Sequence, residues 1–197
     1  MSFSPVQSSP MFSRNEAFET LSTKLINILM KDGKKARATR LLTQAYLYLN
    51  RRLTVRYMKQ EKHMIQRARA SSHTSTQTVN LTVQRPPSVS KVLLTLFSRL
   101  RPCLSLKTVK RGRKVFHVPF PLPESAQVSF VFRWLHEGAQ YRQGRYRLKG
   151  GRPASFAQCL GLELFQTYTR QSGHAYYKRK QLYKLADRNR QFLWQAR

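Results

Sequence analysis

The sequence predicts a mainly α fold, a six-helix, bundle-like body with a protruding two-stranded β-hairpin. Three observations carry this. Apolar residues recur at helical spacing in six separate stretches. Between the third and fourth, the period falls to two on either side of a basic turn. The chain holds 37 Lys plus Arg against 8 Asp plus Glu in 197 residues, and the excess gathers at turns and element ends.

Residues 1–18 read as a flexible N-terminal arm, because Ser, Pro and Gln supply no periodic apolar face. A single domain is expected over 19–197, with an insertion at about 54–87 and the hairpin at about 103–120. Leu21, Leu25, Ile28 and Leu29 form one stripe of a first helix. Gly33, in Lys31-Asp32-Gly33-Lys34-Lys35, can end it and turn the chain. A second helix is expected from about Ala36 to Leu53, with Ala38, Leu41, Leu42, Ala45 and Leu49 inward. Within 54–87 the first part can extend this helix, and the Ser/Thr-rich second part reads as a loop ordered by a partner. Val89, Val92, Leu93, Leu96 and Leu100 stripe a third helix over Ser88 to Leu100, which Pro102 stops. The alternation of Leu104, Leu106 and Thr108, and again over Val115 to Val118, predicts the hairpin. Two strands need support from the body or a ligand.

After three prolines a fourth helix is expected from Glu124 to about Gln140. Tyr141 to Pro153 then reads as a Gly/Arg-rich loop. A fifth helix runs from about Ala154 to Thr169, striped by Phe156, Leu160 and Leu164. A sixth runs from Tyr176 to about Leu193, with Leu182, Leu185, Ala186 and Phe192 inward.

The net charge of +29 decides the functional class. Charges of one sign on a compact body repel and destabilise it. A dense polyanion relieves that cost, and nucleic acid does so by releasing condensed counterions to Lys and Arg. An anionic membrane surface is the competing partner. It would call for a cation-flanked apolar stripe separate from the core stripes, and none is found. No apolar run approaches the roughly 20 residues of a membrane span. Cys103 and Cys159 belong to no metal-binding or redox motif. Met1 to Arg14 lacks the features of a signal or transit peptide. The chain is therefore expected to be made where it works or to have lost a targeting segment.

Catalysis is not expected. The eight acids are scattered, so no carboxylate pair is evident. His63, His73, His117, His136 and His174 have no metal-ligand spacing. Lys149-Gly150-Gly151-Arg152 follows no strand, which argues against a nucleotide loop. No cofactor is implied.

The candidate RNA-binding cations fall into four clusters. Lys31, Lys34, Lys35, Arg37 and Arg40 lie at the first turn. Lys107, Lys110, Arg111, Arg113 and Lys114 mark the hairpin tip. Arg142, Arg145, Arg147, Lys149 and Arg152 lie in the Gly/Arg-rich stretch. Lys178, Arg179, Lys180 and Lys184 open the last helix. Arg grips phosphate bidentately and stacks on unpaired bases. Tyr141, Tyr146, Tyr176, Tyr177 and Tyr183 interleave with the cations, a composition suited to base stacking or to packing at the core edge. Trp134, Phe130 and Phe156 read as core. Basic points on several faces favour a folded RNA over a sequence-specific DNA reader, which concentrates recognition on one helix.

Leu25-Ile26-Asn27-Ile28-Leu29-Met30-Lys31-Asp32-Gly33-Lys34-Lys35 resembles the first-helix signature of the small-subunit ribosomal protein seven family. Leu100-Arg101-Pro102, Val118-Pro119 and Arg133-Trp134 resemble its later motifs in order. So do Ala175, Lys178-Arg179, Ala186, Asn189 and Phe192 in the terminal helix. The resemblance spans about 16–53 and 88–197. It implies a helical body with a hairpin that binds the 3′ major domain of small-subunit ribosomal RNA and organises head assembly. It places the hairpin near the exit-site tRNA and messenger RNA exit, among proteins of the head and platform. It carries RNA contact onto Lys31, Lys34, Lys35, the tip cations and Lys178-Arg179. The sequence departs from the family at 54–87, at the tip Lys110-Arg111-Gly112-Arg113, and at Lys180-Gln181, which replaces an acidic pair. These changes point to a divergent organellar form on a mitochondrial ribosome, with a chloroplast or bacterial cytoplasm as alternatives. The competing function is a free architectural or regulatory nucleic-acid binder.

Overall fold

The computed structural model describes residues 14–71, 85–148, 154–170 and 172–196. In order these form α1 (Arg14–Leu29), α2 (Lys35–Ser71), α3 (Val89–Leu100), β1 (Leu104–Arg111), β2 (Lys114–Pro121), α4 (Glu124–Leu148), α5 (Phe156–Arg170) and α6 (His174–Arg188). A 3-10 segment, Arg190–Ala196, follows. The predicted class, a mainly helical body with one two-stranded hairpin, is the observed one.

The predicted stripes meet in one apolar core. Leu25, Leu49, Leu53, Leu96, Leu100, Leu135, Leu160 and Leu164 are all fully buried there. Each such side chain contributes about 1.5–3 kcal/mol by leaving water. Together they oppose the repulsion among the surface cations. Trp134 is buried, and Phe130 and Phe156 pack at the core's edge.

Four elements have bounds other than those their apolar stripes mark. First, α1 starts at Arg14, inside the expected arm, because Phe18 packs on the Tyr46 ring at 6.0 Å and anchors an earlier turn. Second, α2 continues past Leu53 to Ser71, so the first part of 54–87 does extend it, as the sequence allowed. Arg, Lys, Gln, Met and Glu propagate a helix without needing burial. Third, α4 runs on to Leu148, so Tyr141 to Leu148 are helical rather than loop. Fourth, α6 begins at His174 and ends at Arg188, and Leu185 is 46% exposed instead of inward. Ala175 and Ala186 supply its buried face.

The hairpin is antiparallel, in register from Leu104↔Pro121 to Arg111↔Lys114. Gly112 at φ +59 leads the two-residue turn, the positive-φ position that a tight hairpin turn requires. Its support comes from the body. The Cys103 amide donates to the Tyr183 hydroxyl at 3.1 Å, and Phe116 rests on Phe192 with ring centroids 5.1 Å apart. Buried Gln127 of α4 donates to the Leu122 carbonyl at 2.6 Å and accepts from the Arg101 guanidinium.

One buried carboxylate joins three helices. Glu163 of α5 is fully buried. Its Oε2 accepts from Arg142 Nε of α4 at 2.6 Å, and its Oε1 accepts from the Ala175 amide of α6 at 3.2 Å. Gly138 and Gly173 make room for it. A Cβ at Gly138 would meet Glu163 Cδ at 2.8 Å, and one at Gly173 would meet Thr167 Oγ1 at 2.1 Å. Removing one partner of a buried, hydrogen-bonded pair leaves the other uncompensated, at a cost of about 3 kcal/mol or more. Glu163→Ala is therefore expected to lower the unfolding free energy by about that amount in a urea titration. A change within the scatter of surface substitutions would show that α4, α5 and α6 are held otherwise.

Candidate nucleic-acid interface

The first cluster is built by backbone geometry. Asp32 and Gly33 both lie at positive φ, +53 and +70, so the chain reverses sharply after α1. Asp tolerates this region and Gly is indifferent to it. The Lys34 amide donates to the Lys31 carbonyl at 3.0 Å and closes the turn. Lys31, Lys34, Lys35, Arg37 and Arg40 are all exposed around it. A cleft of about 320 Å³ opens between this turn and α4. Lys31, Lys34, Arg37, His136 and Gln140 line it, with Asp32 as its carboxylate. Leu29 and Ala38, both buried in the core, also line the cleft, so the lysines stand on packed helix ends.

His136 is the histidine of that cleft. Its ring is 5.4 Å from Phe156, and its Nε2 shares a hydrogen bond with Gln140 at 2.9 Å. Burial first, and then the Lys31 charge, push it below its ordinary 6.5, against an opposing pull from Glu137.

The second cluster projects on the hairpin. Lys107, Lys110, Arg111, Arg113 and Lys114 are exposed. Val109, Phe116 and Val118 share one face, and burial of Val118 fixes the hairpin's tilt on the body. Strands rise about 3.3 Å per residue, so eight residues carry the tip roughly 25 Å from the base.

The third and fourth clusters are divided by their partners. Arg142 turns inward, giving Nε to Glu163 and Nη2 to Gln166 at 2.6 Å each. Its guanidinium is a core element. Arg145 and Arg147 are exposed on the last turns of α4. Lys149 and Arg152 lie outside the described residues. Lys178 pairs with Glu137 at 3.3 Å, and Arg179 is half-buried over the Tyr183 ring at 4.9 Å. Lys180 and Lys184 stay exposed.

A second cleft, about 670 Å³, lies between the end of α4 and the start of α6. Tyr141, Tyr146, Tyr177, His174, Arg145 and Gln166 are among its walls. Tyr141 and His174 stack at 5.4 Å with 25° between planes. Helix α4 thus separates two clefts, with the α1–α2 turn on one side and the α6 start on the other. The sequence named the lysines, arginines and tyrosines. It missed His136, His174, Gln140 and Gln166, which read as isolated polar residues because only folding brings them to the cations. Exposed Arg51, Arg52, Lys59 and Lys62 on α2, with half-buried Arg56, also lay outside the predicted clusters. Among the described residues no group of three His, Cys, Asp or Glu could hold a metal. No helix there is long and apolar enough to cross a membrane.

A helical body with cations on a turn, a hairpin tip and helix ends is that of a basic RNA-binding protein. The chain belongs to the family described as ribosomal protein S7p/S5e, whose model matches residues 4–190. This is a structural, non-enzymatic family. Small ribosomal subunit protein uS7m of Prototheca wickerhamii is 26% identical over 196 residues, covering 86% of this chain and 85% of the relative. Small ribosomal subunit protein uS7 of Kosmotoga olearia is 27% identical over 169 residues, covering 86% and 82%. Small ribosomal subunit protein uS7m of Gallus gallus is 21% identical over 189 residues, covering 95% and 70%.

The lowered His136 value has a consequence for stability. Folding disfavours its protonated form, so the folded state binds this proton less readily than the unfolded chain. The penalty is absent well above 6.5 and grows as pH falls through 6.5 towards the lowered value. His136→Gln should therefore gain stability relative to wild type as pH drops from about 8 to about 5, read as the gap between thermal midpoints. An equal gap at both ends would sink this account of the His136 site.

Proposed function

We propose that this protein is a structural constituent of the small ribosomal subunit that binds the 3′ major domain of small-subunit ribosomal RNA early in head assembly. The observation that carries the reading is the placement of exposed cations on separate projections of one helical body. A turn, a hairpin tip and helix ends can each reach a different part of a folded RNA, whereas a flat face cannot. Family membership supports the same reading. Residues 19–197 act as a single ribosomal-protein domain with an insertion at about 54–87.

Among the sequence-predicted cations, Lys31, Lys34, Lys35, Arg37 and Arg40 form the primary anchor, because a rigid turn holds them exposed and close together. Arg145, Arg147, Lys180 and Lys184 extend the contact along α4 and α6. Arg142 is withdrawn from it by its pairing with Glu163. The hairpin reaches toward the exit-site tRNA and the messenger RNA exit, among the head and platform proteins. The place of work is a mitochondrial ribosome. The Prototheca and Gallus relatives named uS7m support that, while bacterial relatives named uS7 match over a similar share of the chain.

Co-sedimentation with the mitochondrial small subunit in elevated salt tests the assignment; a protein that runs free of ribosomes refutes it. Replacing Lys34 and Lys35 by Gln should weaken rRNA binding and flatten its log–log salt dependence by about one unit per lost phosphate contact. An unchanged slope removes the turn from the interface. Deleting Lys110 to Lys114 should spare rRNA binding and disturb chemical footprints around the exit-site region. Loss of all assembly on that deletion would assign the hairpin a different role.

A further inference from the structure

The cleft between α4 and α6 has walls that a phosphate anchor alone does not need. Tyr146 is 39% exposed and Tyr177 57%, and both open into it. Large aromatic faces left in contact with water are costly, and they gain most from a flat apolar partner. Tyr141 is braced from behind by the His174 ring, and the Arg145 guanidinium lies 5.9 Å from the Tyr141 centroid. Among the described residues the lining contains no carboxylate. Arg142 is consumed by Glu163 and Gln166, which makes it a fixed wall and, among the described lining residues, leaves Arg145 as the cation available to a ligand. The volume, about 670 Å³, lies within the range that encloses one small-molecule-sized group.

The geometry points to a pocket for one unstacked nucleotide of RNA, its base against Tyr146 and Tyr177 and its phosphate at Arg145. This rests on the ribosomal-RNA reading above and deepens it. The turn and the hairpin tip offer charge. Through its described residues this cleft offers π faces, neutral donors and the Arg145 charge, which is the chemistry of an extruded base with its phosphate. A paired base cannot use it, because a duplex keeps its base faces covered by stacking and presents only edges and backbone. Stacking is indifferent to base identity, so the pocket selects unpaired structure rather than sequence.

The test uses the full chain with two probes, a short single-stranded oligoribonucleotide and a blunt RNA duplex with the same number of phosphates. Tyr146→Leu with Tyr177→Leu removes the stacking faces at exposed positions, and an unchanged thermal midpoint checks the fold. The pair should weaken single-strand binding by roughly 5- to 150-fold. It should leave duplex binding and the salt slope as in wild type. Tyr146→Phe with Tyr177→Phe should retain most of the affinity. Arg145→Gln should lower the salt slope by about one unit. Wild-type affinity in the leucine pair overturns the pocket, as does an equal loss on both probes. If the Lys34 and Lys35 substitutions weaken binding while the tyrosine substitutions do not, the RNA reading stands and the pocket fails. That result with a lost cross-link to a neighbouring ribosomal protein assigns the cleft to protein instead. Absence of RNA binding by the wild type overturns both.

Discussion

The buried carboxylate of Glu163 is the constraint on which the cationic half of the molecule depends. It lies where α4, α5 and α6 converge and satisfies a guanidinium from one neighbour and a helix-start amide from another. An ionised group can be buried only when its oxygens are matched in this way. The match fixes the helices laterally, because Gly138 and Gly173 let backbone approach where any side chain would collide. It also caps α6, whose N-cap, Gly173, has no side chain to do so. The two clefts beside α4 keep their shape because this contact holds their walls.

That rigidity matters because the surface works against the fold. A net charge of +29 favours expansion, and the core, its hydrogen bonds and its ion pairs resist it. The structure separates the two demands. Leucine stripes from α1, α2, α3 and α5 close a core that carries little charge. Most of the described site cations stand on a turn, on a hairpin tip or on helix ends, where water screens them and a polyanion can reach them. Self-repulsion and ligand affinity are thus one property seen before and after binding.

Much of this was legible in the sequence because helical and strand periodicities are local. The stripe Leu21, Leu25, Leu29 and the alternation after Leu104 could be read without tertiary knowledge. Boundaries were less legible where burial does not set them. Helix α2 passes Leu53 and α4 passes Gln140 because their residues propagate helix in solvent, and no apolar pattern marks such extensions. The clefts were illegible for a different reason. His136 joins Lys31 and Lys34 across about a hundred positions of chain, and His174 reaches Tyr141 only when Glu163 has docked α6. A histidine outside any metal-ligand or catalytic spacing is silent in a sequence.

The acids explain why the cations are not equivalent. Among the described residues, Glu124 takes Arg101, Glu137 takes Lys178 and Glu163 takes Arg142. Two of these acids come from α4 and the third packs against it, so cations approaching this helix are drawn into the fold. Exposed pairs such as Lys178 with Glu137 are weak and can open when a phosphate competes. Arg142 has no such freedom, since releasing it would strand a buried carboxylate. Charge count therefore overstates the number of hands available to RNA. Position relative to the acids, and to rings such as Tyr183 under Arg179, decides which arginines bind ligand and which bind the protein itself.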